Sequence, residues 1–324
     1  MPEMKDKLEN GWCFLGQNWQ LVQDVVVQTI SDEIKVSSEI FRSKPPVSSR
    51  VELGHGLWIG PLGHETVNMV FDACNPRGLN FDQTRRFSSH YCFVREQYIS
   101  GVPSVGWDDD RLLRNCIALS RLIHPTTIST LISARLLYQD GRIEMPTKIV
   151  PVPPQGMGDF AWVNDKNWRN WLTKDEASEL KGLIDNCNFD TMPFRVRRAM
   201  RHFEYACLTY YPDVRLTLAV TGLEAFVNTY RHRSTAEFKK RIALISKEVD
   251  MEFPEIFAGK VYDYRSSLVH GKGVPEPVIS CEFDDICRTT EELLRKLVRK
   301  SIEDSSFSNL FESAKSIDSM FLSA

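Results

Sequence analysis

Nowhere in these 324 residues do about 18 apolar side chains run together, which excludes a membrane-spanning helix read from hydropathy. Nor do the first ten residues contain the apolar core of a secretory signal, so a cytoplasmic protein without membrane attachment is expected. The eight cysteines, among them Cys13, Cys116, Cys187 and Cys287, form no Cys-x-x-Cys pair and no knuckle spacing. That removes the usual zinc frameworks and leaves reduced thiols as the simplest reading. The few histidines follow no metal pattern either: His55 and His64 stand in a glycine-rich segment and His90 stands near Cys92, with none of the standard zinc spacings. A Gly-x4-Gly-Lys-Ser/Thr frame is missing, so Gly271-Lys-Gly273 is no phosphate loop. No metal and no cofactor are expected.

Excess positive charge is missing as well. With 40 Lys and Arg against 43 Asp and Glu, the net charge of −3 argues against a protein that coats nucleic acid through its overall field. A local basic patch stays open, since residues 193–324 hold 20 basic and 19 acidic side chains and the net acidity lies upstream. Internal repeats and low-complexity tracts are absent too. What remains is the composition of an ordinary globular protein, 42% apolar and 26% charged, long enough for two domains.

Up to about residue 146 the apolar runs are short and broken by Gly, Pro and Asn, the pattern of strands and loops. Residues 21–30 (LVQDVVVQTI) are rich in β-branched side chains. Residues 134–139 and 142–145 flank Asp140-Gly141, a dipeptide that supplies the positive φ angles of a two-residue hairpin turn. A helix is expected over 111–123, with a strand as the alternative, because Leu112, Cys116 and Leu119 or Ile123 share a stripe before Pro125. Four prolines and two glycines crowd residues 145–159, and proline interrupts regular ladders, so the domain boundary is expected there. This divides the chain into a β-rich or mixed module, residues 1–150, and an all-α bundle, residues 160–324: an α+β protein.

Helical periodicity rules the second part. Thr173 and Glu176 have the spacing of a capping box, in which each side chain satisfies a free backbone N–H. Trp162, Trp168 and Trp171 beside it read as core. Val196, Met200, Phe203 and Cys207 recur at 4-3-4 spacing, as do Leu216, Val220, Leu223 and Val227. The second set lies on a helix apolar nearly all round, the mark of a central bundle helix. Further helices are expected over 238–249, 253–269 and 283–302, with a short one in the tail from 305.

The chemistry concentrates near residue 265. A buried stripe of Phe257, Val261, Tyr264 and Leu268 would put Arg265 at the flank of the core, and Gly271 has the position of a C-terminal cap just after His270. Five residues of straight helix turn through about 500°, leaving Arg265 and His270 about 140° apart. To meet one phosphate, either the helix unwinds at 269–271 or two subunits each supply one group. Glu224 is a carboxylate on the most apolar helix, where an unpaired charge is costly; Arg265 is the economical partner, and a margin facing water is the alternative. Arg195, Arg197, Arg198, Arg201 and His202 form a row that either tracks a phosphate backbone or is simply a solvated face.

The run at 261–271, Val-Tyr-Asp-Tyr-Arg-Ser-Ser-Leu-Val-His-Gly, resembles the Arg-x4–6-His motif of the HEPN superfamily. With Leu223-Glu-Ala-Phe226 upstream, Tyr-Arg-Ser-x-x-Val-His-Gly is similar to the Apea-like HEPN branch; the likeness covers residues 194–304. Ser266 departs from the Asn, Asp or His that many nuclease members carry after the arginine. The resemblance implies a metal-independent endoribonuclease, a homodimer formed through the bundle, and a toxin or antiphage defence role. Arg265, His270 and Glu224 would then be the catalytic group, and Arg195, Arg198, Arg201 and Tyr264 the contacts to RNA. The N-terminal part would sense or position, with room for a regulatory protein partner; it carries no catalytic motif of its own. The competing reading is a non-catalytic HEPN protein that binds RNA, nucleotide or protein, with Arg265 in a structural ion pair and His270 capping helix carbonyls.

Overall fold

The computed structural model describes residues 22–30, 49–54, 57–61, 91–98, 111–123, 130–139, 142–151, 172–209, 211–229, 234–271 and 281–322. Among the described residues strands lie before residue 152 and, apart from one helix, helices lie after 173, an α+β arrangement. It divides into two compact units, residues 1–155 with 165–184, and residues 156–164 with 185–324.

In the first unit the described strands are β1 (Val22–Ile30), β2 (Val51–Gly54), β3 (Leu57–Pro61), β4 (Tyr91–Tyr98), β5 (Thr130–Gln139) and β6 (Arg142–Pro151). They form one sheet in the order β2-β3-β4-β1-β5-β6, and every neighbouring pair is antiparallel. The β-branched run expected to be a strand is β1, between β4 and β5, where such side chains suit a pleated surface. Gln139 pairs with Arg142 across the expected hairpin; Asp140 and Gly141 lie outside the described residues. Leu53, Leu57 and Ile59 are buried, and Arg50 stacks over Trp58 at 4.8 Å.

One expectation is corrected here. The proline-rich stretch does not stop the ladder at residue 145, because β6 continues through Pro146 to Pro151. The order of the sheet explains how. Among the described strands β6 lies at the edge of the sheet, and its register shifts beside Pro146, where a strand tolerates proline. Helix α1 (Arg111–Ile123) packs against β4 and buries Cys116, Leu119 and Ile123, as its spacing predicts.

Helix α2 (Lys174–Asn186) opens on the expected capping box: the Thr173 N–H donates to Glu176 Oε2 (2.8 Å) and the Glu176 N–H donates to Thr173 Oγ1 (3.3 Å). It buries Ala177, Leu180, Leu183 and Ile184, and up to residue 184 it falls within the first unit, whereas the proline-rich break placed it with the bundle.

The second unit is all helix among its described residues: α3 (Phe194–Leu208), α4 (Pro212–Val227), α5 (Ser234–Ile245) with a 3-10 turn (Ser246–Val249), α6 (Glu255–Val269), α7 (Cys281–Glu303), α8 (Ser305–Asn309) and α9 (Ala314–Leu322). Helix α4 starts with Pro212 in its first turn, where no N–H is needed, and ends at Asn228 in the left-handed region (φ 49°). It packs against α3, α5, α6 and α7, the central position its all-round apolar sequence predicts. Leu216, Val220, Leu223, Phe226 and Val227 are fully buried. Gly222 lets α7 come close, since a Cβ there would stand 2.6 Å from Leu294 Cδ2.

Candidate active site

The face of α6 that enters the core is Ala258, Gly259, Val261 and Tyr262, not the Phe257, Val261, Tyr264, Leu268 stripe read from the sequence; Phe257, Tyr264 and Leu268 are only half-buried. Small side chains explain the rotation. Ala258 and Gly259 let the helix sit close to α5, with the Lys239 stem where a Gly259 Cβ would be, while the bulky rings of Phe257 and Tyr264 fill the flanks. Tyr262 packs on Phe238 with centroids 4.9 Å apart, Phe257 on Phe253 at 4.8 Å, and Tyr264 edge-on to Phe283 at 5.6 Å.

Arg265 lies one turn beyond Val261 and Tyr262 on that inward face. Its Nη2 stands 3.4 Å from Glu224 Oε2 on α4, with side-chain exposures of 23% and 22%, so the pair is partly desolvated without being sealed. The guanidinium carbon lies 5.8 Å from the Tyr262 ring centroid. Arg265 Nε is buried and has no hydrogen-bond partner among the described residues. The guanidinium is therefore held from one side by a carboxylate and an aromatic face and keeps donor capacity unspent.

His270 follows the last helical residue. Its backbone N–H still donates to Ser266 O (3.0 Å), Gly271 N–H donates to Leu268 O (3.3 Å), and Gly271 turns the chain out with φ +64°. The His270 N–H still makes a helical bond, while His270 itself (φ −93°, ψ 7°) and Gly271 leave helical geometry, so the helix ends within residues 269–271. On a straight helix their side chains would stand about 140° apart. The imidazole is exposed and makes no hydrogen bond with the described residues, so it caps no helix carbonyl.

The row on α3 splits. Arg195 is removed from the nucleic-acid contacts: Nη1 donates to Ala225 O (3.3 Å) and Nη2 to Asn228 Oδ1 (2.9 Å). Its charge satisfies the carboxyl end of α4, where free carbonyls and the helix dipole favour a cation. Arg241 completes the same cap, donating through Nη1 to Val227 O and Asn228 O (2.8 Å each) and to Asp318 Oδ1 (2.7 Å) on α9. Arg197, Arg198 and Arg201 are exposed. Tyr264 is half-buried, its ring engaged with Phe283. His202 is half-buried with Nδ1 enclosed and unpartnered; burial, then the neighbouring Arg198 and Arg201, hold its titration below the ordinary histidine range.

An ion pair that the sequence analysis missed joins α4 to α7: Arg215 Nε and Nη2 donate to Glu291 Oε1 and Oε2 at 2.7 and 2.5 Å, with 4% and 8% exposure. Both residues sit at positions where helix periodicity alone reads as margin, and only the α4–α7 crossing encloses them. Two thiols are poor nucleophiles here, because burial pushes Cys187 up to about 12 and holds Cys287 well above the ordinary cysteine range.

Among the described residues no three His, Cys, Asp or Glu side chains gather as a metal-ligand set, and no helix is long and apolar enough to cross a membrane. His55, His64, His90 and the three tryptophans at 162, 168 and 171 lie outside the described residues. No protein-family profile, curated protein or solved structure that was compared matches this chain.

Proposed function

We propose that the second unit is a HEPN-type bundle that cleaves RNA without a metal, working as a homodimer in which Arg265 of one chain and His270 of the other meet one phosphodiester. The observation that carries this reading is the state of the two side chains. Arg265 is fixed by Glu224 at 3.4 Å with donors to spare, and His270 stands exposed just past the end of the same helix, its imidazole making no hydrogen bond among the described residues. An imidazole can take a proton from the ribose 2′-OH and return one to the leaving 5′ oxygen. A guanidinium fork can hold the phosphate and stabilise the charge growing on its oxygens. Attack of the 2′ oxygen on phosphorus, with loss of the 5′ oxygen, leaves a 2′,3′-cyclic phosphate and a 5′-hydroxyl. Glu224 is then a positioning residue for Arg265. A toxin or antiphage defence role, with the first unit as sensor and a regulatory protein as trigger, belongs to the same reading.

The separation of Arg265 and His270 along one helix favours a second reading, a HEPN bundle that binds RNA, nucleotide or protein without cutting. Purified protein incubated with mixed RNA in EDTA decides between them. The nuclease reading predicts cleavage with cyclic phosphate ends, no action on DNA, and a loss of at least about 100-fold in both Arg265→Ala and His270→Ala with helicity unchanged by circular dichroism. Full activity in either variant, or none in the wild type, contradicts it.

A further inference from the structure

Helix α3 carries a second periodic stripe, on the side opposite its buried one. Phe194, Arg198, Arg201 and Tyr205 recur at 4-3-4 spacing and fall within a sector about 60° wide, spanning about 16 Å of helix axis. Phe194 is 69% exposed and Tyr205 50% exposed, and both arginines are exposed, with Arg197 on the stripe's edge. Among the described residues the side chains of Arg197, Arg198 and Arg201 make no hydrogen bond and no ion pair, and the half-buried Glu204 one turn from Arg201 does not neutralise it. Three cations within two turns repel one another at the spacings 197/201 and 198/201, which costs helix stability that no bond among the described residues offsets. The first turn of α3 adds no acid, so its free N–H groups reinforce the same sign. The energetics ask for a polyanion.

The aromatics narrow the class. A double helix hides its base faces, and a lipid surface offers none, whereas a single strand exposes both a phosphate backbone and unstacked bases. We propose that this face of α3 binds single-stranded nucleic acid, with Arg198 and Arg201 on successive phosphates and Phe194 and Tyr205 each stacking a base at the two ends. His202 lies beside them on the helix, where burial and these arginines disfavour its charged form. Binding here does not require that Arg265 and His270 cut RNA.

The test uses the full chain and a labelled 12-nucleotide 2′-O-methyl oligouridine, which has no free 2′-OH and cannot be cleaved by 2′-oxygen attack, so its outcome is independent of nuclease activity. Fluorescence anisotropy should show at least tenfold preference over the duplex with oligoadenosine. Phe194→Ala and Tyr205→Ala should each weaken binding about tenfold while Tyr205→Phe retains it, because stacking needs the ring and not the hydroxyl. Arg198→Gln and Arg201→Gln should each flatten the log–log salt slope by about 0.7. Equal affinity for the duplex or for vesicles of phosphatidylserine and phosphatidylcholine overturns the proposal, as do aromatic variants that bind like the wild type. It also falls if Phe194→Ala or Tyr205→Ala lowers the oligomeric mass in light scattering and leaves affinity for the oligonucleotide unchanged, since the stripe is then a contact between copies.

Discussion

Glu224 burdens the most apolar helix of the bundle with a carboxylate, and Arg265, 3.4 Å away, is the charge that makes it tolerable. That pairing was legible in the sequence because a lone acid in an apolar run demands a partner and few cations were placed to supply one. Arg195 was not legible. Its target is a pair of oxygens at the far end of a different helix, and no spacing along α3 distinguishes an arginine that caps α4 from one that faces solvent. His202 adds a titration. Its folded-state value is lowered, so the unfolded chain binds a proton more readily; stability is then complete above the ordinary histidine range, near 6.5, and is lost as pH falls through it. Urea midpoints at pH 7.5 and 5.5 should therefore converge in His202→Gln relative to the wild type. An identical pH dependence in both proteins would rule this out.

At the scale of elements, periodicity located α1, α3, α4 and α6 and identified α4 as central, since nine of its sixteen residues are buried. It misjudged which side of α6 faces inward, because Ala258 and Gly259 count for little in an apolar tally yet decide how closely two helices approach. It likewise stopped β6 too early, for whether proline breaks a strand depends on edge or centre, and strand order is a property of the whole sheet. The Arg215–Glu291 pair belongs to this scale too, as it ties α4 to α7. Burial opposes the Arg215 charge, yet Glu291 more than offsets this and raises its titration. Arg215→Met or Glu291→Leu alone removes the bidentate partner of a buried charge and should destabilise by about 3–5 kcal/mol, while the double variant should recover most of that. Equilibrium urea unfolding of the three proteins measures it; equal losses in single and double variants would contradict the assignment.

For the molecule as a whole, the α+β character was readable because strands and helices are segregated along the chain, whereas the grouping of residues 165–184 with the first unit depends on contacts that no composition change announces. On a straight helix Arg265 and His270 stand about 140° apart, and the proposed site takes one group from each of two chains. Mixing inactive Arg265→Ala with inactive His270→Ala tests this directly. A mixed dimer holds one site with both groups intact, so random exchange of subunits should restore about a quarter of wild-type RNA cleavage; a mixture as inactive as its components, beside an active wild type that exchanges subunits, would contradict the account.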